Sequence, residues 1–430
     1  MKKILIAALI FVFRSHAISL NAEQNLIDAS WKTKALFYAV KNGHETSVRT
    51  LLAMGANPSA QDENKSTPLL CATCRGYTGI VKALIKSGAD VQYKHPSYFF
   101  GTTALMNAAE RGNVDMVNAL ITAGANVNVE KCTKSYSSDS PQSTALLYAV
   151  RSGSLPTAYA ILAAKANVNA SDINGTALTA AAKNGQFYLV KKLIAAGANI
   201  NAKDCYDGTV LWHATKEGHI EISLFLISAG ANPNICNKYD ESTPLLWAIT
   251  HNSYDLVIAL IRAGANVNAR NKEGSTPLFM VIAKNSSVAI LNALIAAKAD
   301  ITTKCGAFQT ESLLFRATER GYTELAKSLI AAGANVNETQ VLTGIPLINL
   351  AVRKNHQEIL KALIAAGANV NACIFWTKET ALMKAAEKGY IAIIQTLLAA
   401  GANPKQKNRN GKMAFNYASA EEIKVLLPGS

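Results

Sequence analysis

Thr243-Pro244-Leu245-Leu246-Trp247-Ala248 opens a stretch that closes some twenty residues later on Gly264-Ala265-Asn266, and this grammar returns about every 33 residues. Thr is a good helix N-cap because its hydroxyl accepts from the orphan amides of the first turn. Pro suits the first helical position, where a missing N–H is no loss. Working outward, an apolar residue holds the place of Leu245 in every unit: Leu36, Leu69, Leu105, Leu146, Leu178, Leu211, Leu278, Leu314, Ile348, Leu382 and Phe415. A period of this length marks a stacked array of helix pairs, not a globular enzyme.

Seven residues beyond each of these positions, except the last, stands Gly or Asn, from Gly43 and Gly76 through Asn252, Asn285 and Asn355 to Gly389. Those two residue types are what a left-handed helix end selects. A second helix follows, such as Leu189 to Ala196, and usually closes on another Gly, as at Gly55, Gly124, Gly230 and Gly401. Ala-Asn or Ala-Asp and an extended stretch such as Val267-Asn268-Ala269 then lead into a turn or short hairpin. Lys165 and Lys298 replace the closing Gly in two units. If the backbone is left-handed there, each costs about 1 kcal/mol relative to Gly.

The pattern resembles the ankyrin repeat, whose consensus is near Thr-Pro-Leu-His-x-Ala-Ala followed by a Gly turn and Gly-Ala-Asp/Asn. The resemblance runs over about residues 32–428, and the His of the consensus is replaced throughout, by Leu70, Met106, Leu147, Thr179, Trp212, Leu246 and Phe279 among others. It implies an all-α repeat solenoid of stacked helix–turn–helix units joined by β-turn or hairpin connectors. The expected division is a signal peptide over 1–17, an N-terminal cap over 18–31, eleven repeats over 32–411 and a C-terminal capping repeat over 412–430.

Lys2-Lys3, the apolar run Ile4–Phe13 and Ser15-His16-Ala17 read as a basic start, a short apolar core and a cleavage site. Ten apolar residues are too few to span a bilayer. A periplasmic or secreted location is therefore expected, either as a host-directed effector or as a periplasmic partner-binding protein. The formal net charge of +14 would fall by three on loss of Lys2, Lys3 and Arg14. The remaining bases are dispersed, so binding of nucleic acid or an anionic membrane surface is the alternative rather than the leading reading. Seven cysteines are spread across the units without even pairing. Cys71-Ala72-Thr73-Cys74 has redox spacing, yet Cys71 falls at an expected buried position of a first helix. Cys205 and Cys236, in adjacent connectors, are the one pair to test for a disulfide.

No Gly-rich phosphate loop, G-x-S-x-G elbow or H-E-x-x-H segment occurs, and Asp240-Glu241 and Glu421-Glu422 lack partners of opposite role. An enzyme is not expected, and neither is a cofactor, a metal or a small-molecule substrate. A monomer that binds another protein is. The candidate anchors are connector aromatics, Tyr98, Phe99, Phe100, Tyr136, Tyr206, Tyr239, Phe308, Phe375 and Trp376, joined by Trp212 at the missing-His position. Aromatics are favoured as interface anchors; packing over a neighbouring connector is the other reading of each. Two longer connectors, near Lys94–Thr102 and Glu130–Ser143, add candidate binding loops. Trp247, two residues after the key Leu245 position, is expected in the core.

Overall fold

A computed structural model describes residues 23–96, 101–132, 142–305 and 311–427. The chain divides into two compact units. The first holds the residues up to Asn184 with Tyr188–Ala198, and the second holds Gly185–Phe187 with everything from Asn199 onward.

In the first unit the helices pair in sequence order. α1 (Glu23–Lys41) lies with α2 (Glu45–Ala53), α3 (Pro68–Arg75) with α4 (Thr78–Lys86), and α5 (Ala104–Glu110) with α6 (Val114–Thr122). α7 (Ala145–Arg151) lies with α8 (Leu155–Ala163), and α9 (Ala177–Lys183) is followed by α10 (Phe187–Ala195). α1 is one continuous helix of 19 residues, so the part of the expected cap segment from Glu23 onward belongs to the same helix as the first repeat.

The second unit continues the alternation with α11 (Val210–Lys216), α12 (Ile220–Ser228), α13 (Pro244–Thr250), α14 (Tyr254–Arg262), α15 (Pro277–Lys284) and α16 (Val288–Ala296). It goes on through α17 (Leu313–Arg320), α18 (Thr323–Ala331), α19 (Leu347–Arg353), α20 (Gln357–Ala365), α21 (Ala381–Lys388) and α22 (Ile391–Ala399). A 3₁₀ turn at Ala414–Tyr417 and the short α23 (Glu421–Leu426) end it. Within each unit, first helices pack on the first helices of neighbouring repeats and second helices on second helices. Three two-stranded antiparallel hairpins lie in the connectors: β1 (Lys131–Cys132) with β2 (Gln142–Ser143), β3 (Ser171–Asp172) with β4 (Gly175–Thr176), and β5 (Lys304–Cys305) with β6 (Glu311–Ser312).

The recurring apolar residue is the centre of the core. From Leu36 to Leu382 every one is buried, Ile348 included, and only Phe415 in the terminal turn is half-buried. Each such Leu contributes about 1.5–3 kcal/mol by leaving water. Second helices supply a triplet at i, i+1 and i+4, such as Leu256, Val257 and Leu260, which is one face of a helix. Eight first helices are capped by a Thr or Ser hydroxyl that accepts from the amide three residues on, as Thr67 accepts from Leu70 at 3.2 Å. Thr243 is the exception: its hydroxyl is buried without a partner, and the Leu246 amide bonds to the Thr243 carbonyl at 3.1 Å instead.

All the Gly and Asn turn positions between Gly43 and Gly389 have positive φ, from 51° at Asn252 to 85° at Gly76. The nine glycines that close second helices cluster at 82–89°. Lys165 and Lys298 adopt the same backbone, at 61° and 63°.

The motif Gly-Ala-Asn-x-Asn has a division of labour. The Asn232 Oδ1 accepts from the Asn234 amide at 2.9 Å and so folds its own turn. Asn234 reaches the next repeat, where its Oδ1 accepts from the Asn266 amide at 2.7 Å and its Nδ2 donates to the Gly264 carbonyl at 2.9 Å. Asn337 and Asn371 repeat the double bond to the following repeat, and Gln92 does so in the first unit.

Candidate interaction surface

Further along the same connector, beyond the asparagine loop, the hairpin folds on a short polar side chain. The Asp204 Oδ1 accepts from the Tyr206 and Gly208 amides at 2.8 and 2.9 Å, and Asn271 and Asn408 gather the same two amides of their own hairpins. These are Asx turns, in which a side-chain oxygen stands in for a backbone acceptor. In the second unit the tips then join by backbone hydrogen bonds: Lys238 N to Tyr206 O at 2.9 Å, Lys272 N to Asp240 O at 2.9 Å, Phe375 N to Gly344 O at 3.2 Å and Arg409 N to Thr377 O at 3.0 Å. Lys65, Asp207, Glu241 and Lys378 have positive φ at these tips, a third left-handed position that the Gly rule of the helices does not cover.

Two hairpin carboxylates are buried and paired. Asp204 receives Nε2 of His213 at 2.7 Å; burial raises its carboxyl, but the bonds from His213, Tyr206 and Gly208 outweigh that and hold it below the ordinary carboxylate range. Asp172 is treated alike, with burial opposed by Arg151, the Asn174 amide and Ser143, and its pKa is also lowered. Glu338 differs: burial dominates and raises its pKa, although the Ser312 hydroxyl bonds to it.

The candidate anchors separate into three groups. Tyr206 and Tyr239 stand on adjoining tips, Tyr239 being 75% exposed. Phe375 and Trp376 share another tip, with ring centroids 4.9 Å apart in an edge-to-face pair. Trp212 is not at the surface. It is 3% exposed, because its indole N–H finds both the carbonyl and the hydroxyl of Ser242 in the next hairpin at 3.0 Å. Tyr98, Phe99, Phe100, Tyr136 and Phe308 lie outside the described residues. Of the two longer connectors, the described ends are an antiparallel bridge of Lys94 with Thr103 and the β1–β2 hairpin.

Trp247 is also not where it was expected. It is half-buried, and its indole N–H donates to the same Ser242 hydroxyl at 3.0 Å, while that hydroxyl donates to Asp240 Oδ1 at 2.7 Å. The two indoles meet edge to face at 6.4 Å, and Lys216 Nζ lies 4.7 Å from the Trp212 centroid and 5.7 Å from that of Trp247. Above Trp247 opens a cleft of about 480 Å³ between α13 and α15. Its apolar lining is Tyr239, Leu246, Trp247 and Met280, and its charged lining is Asp240, Lys272, Glu273 and Lys284. Clefts of this size with an apolar floor and a few polar groups are the usual shape of a binding site.

Cys71 is half-buried rather than buried; burial raises its thiol pKa, and Ser66 Oγ lies 3.5 Å from its sulfur. Cys74 is exposed, and Cys71, Cys74, Cys205, Cys236 and Cys373 are all free thiols. Among the described residues no group of three or more His, Cys, Asp and Glu could hold a metal ion.

A family model described as ankyrin repeats (3 copies) matches residues 6–95, 94–172, 146–237, 211–305 and 314–408. The chain belongs to the ankyrin-repeat family. Ankyrin-repeat domains generally bind other proteins, and the fold is typically non-catalytic. Among solved structures, the ankyrin repeat domain of Bcl-3, a member of the IkappaB protein family, is 25% identical with a TM-score of 0.44, covering 51% of this chain and 97% of that one. The human ASB11 ankyrin repeat domain is 26% identical with a TM-score of 0.36, covering 59% and 98%. Glycerophosphocholine phosphodiesterase gde1 of Schizosaccharomyces pombe (strain 972 / ATCC 24843) is 44% identical over 85 residues, which is 20% of this chain and 7% of that protein.

Sequence reasoning missed Val341 and Leu342, an exposed apolar pair on the hairpin before α19. Their signal was present: two adjacent apolar residues in a connector that is otherwise polar. It also missed the cleft, since Trp247 read as a core position of a first helix.

Proposed function

We propose that this ankyrin array is a non-catalytic scaffold that captures a partner protein along its first helices and hairpin tips, and that it acts after export. The observation that carries the reading is the cleft between α13 and α15, which keeps Trp247 half-open and places the exposed Tyr239 and Lys272 beside an apolar floor. A large apolar side chain of a partner would fill the floor, Tyr239 would cover it, and the hairpin row would align the flanking segment. Aromatic anchors in a polar rim are how interfaces concentrate binding energy.

The export half rests on Met1–Ala17 alone. Intact-mass measurement of the chain recovered from expressing cells tests it, with a new N-terminus at Ile18 expected and an uncleaved Met1 chain in the cytoplasm counting against it. The binding half is tested by quantitative capture with the wild type against Tyr239→Ala and Met280→Glu. Loss of the same specific proteins in both variants is expected. Full retention in both, with unchanged folding, would remove the cleft from the interface. Persistence of capture at high salt distinguishes this from binding dominated by phosphate contacts, which weakens steeply as salt rises.

A further inference from the structure

The last three hairpins of the second unit differ from the Tyr239 region. Val341, Leu342, Phe375 and Trp376 are 59–69% exposed on two neighbouring tips. The tips are locked together: Phe375 N donates to Gly344 O, and a Cβ at Gly344 would come within 2.7 Å of the Phe375 Cβ. These apolar groups project from the hairpin tips into solvent. Beside them lies a cationic third tip, bonded to the second through Arg409 N and Thr377 O. Residues 404–413 contain Lys405, Lys407, Arg409 and Lys412 and no acid, and all four bases are exposed. No ion pair holds them among the described residues, and Lys378, 5.4 Å from the Phe375 ring, has none either. Of the nearby acids, Glu338 is tied to Ser312, Glu379 is half-buried at the base of its hairpin, and the exposed Glu387 is paired with Lys384.

We infer that these three tips form a docking surface for an anionic lipid bilayer, with Leu342 and Trp376 entering the interfacial layer and Lys378, Lys407 and Arg409 meeting lipid phosphates. Trp, Phe and Leu flanked by Lys and Arg are the side chains that partition into the headgroup region. A juxtaposed basic cluster adds attraction to anionic lipid that fades within a Debye length. A protein pocket would shield such projecting rings on several sides at once, whereas a bilayer accepts a knuckle without a matching shape. Association is with the surface: no helix among the described residues is long and apolar enough to cross a membrane. This inference goes beyond the protein-binding reading and uses different residues.

The test is flotation of the full chain with phosphatidylcholine vesicles and with vesicles carrying about 30% phosphatidylglycerol. Leu342→Ser/Trp376→Ser and Lys407→Glu/Arg409→Glu are run beside it. All samples carry the same N-terminus, so the difference between variants reports the tips. Binding to the anionic vesicles alone, reduced at least tenfold in each double variant, is expected. Quenching of Trp376 fluorescence by brominated acyl chains, read as the difference from Trp376→Phe, should accompany it and requires ring insertion rather than mere folding. Equal flotation of wild type and both variants would overturn the inference. So would abolition of the Trp376 signal by inorganic phosphate, which would mark simple anion binding. Loss of partner capture in the Leu342→Ser/Trp376→Ser variant without any vesicle binding would assign the knuckle to a protein instead. The Tyr239 and Met280 variants, normal in flotation, keep failure here separate from failure of the scaffold reading.

Discussion

Each connector has two ends, the loop that closes a second helix and the hairpin that leads into the next first helix, and they are built on different terms. At the loop end, after the second helix, the same residue makes the same bond again and again: Asn234, Asn337 and Asn371 each grip the amide and carbonyl of the next repeat. At the hairpin end the turns recur but the exposed side chains differ from tip to tip. One turns on Asp204 held by His213, another on Asn271, and the exposed residues run from Tyr239 to Phe375 and Trp376. Uniform contacts at one end leave the array free to vary the other. Stacking lives where the chain repeats itself, and the varied exposed side chains lie where it does not.

This division can be broken first at a tip that also carries structural weight. Asp204→Ala removes a buried acceptor of three hydrogen bonds and leaves His213 buried without its carboxylate, and should destabilise the second unit by about 3 kcal/mol in urea unfolding. Its pH dependence has a definite sign. Asp204 is held below its ordinary value of 3.8, so its contribution is full above that pH and is lost as pH falls through the lower folded value. The stability of Asp204→Asn should therefore fall less steeply in that acid range than that of the wild type.

Next comes the loop end. Asn234→Ala deletes bonds to Asn266 and Gly264 and should lower stability by about 1–2 kcal/mol, with vesicle and partner binding retained. An equal loss of binding would blur the two ends. Lys165→Gly and Lys298→Gly should each raise stability by about 1 kcal/mol, since φ of 61° and 63° strains a side chain but not glycine. The smallest effect belongs to the free tips: Tyr239→Ala and Phe375→Ala should stay within about 0.5 kcal/mol of the wild type in thermal unfolding.

The array was legible because its signals are local. A left-handed turn admits few residue types, so Gly or Asn seven residues after each key apolar position announces the helix end without reference to the rest of the chain. Caps read the same way, as Thr67 and Thr380 do. What escaped depends on residues far apart in sequence. Trp212 is buried because Ser242, thirty positions later, offers its N–H two acceptors. Trp247 is half-open because Met280 and α15 leave a gap above it. Thr243 has the residue type of a cap and the position of a cap, yet its hydroxyl makes no capping bond.

The separation of the two ends is measured most directly by photo-crosslinking. A photoreactive phenylalanine analogue is placed singly at Tyr206 or Tyr239 on the tips, and at Asn232 or Asn266 in the loops, in otherwise unaltered chains. Covalent adducts to one partner protein from the tip positions, and none from the loop positions, are predicted. Equal adduct yields at both ends, or adducts from Asn232 and Asn266 alone, would contradict the account.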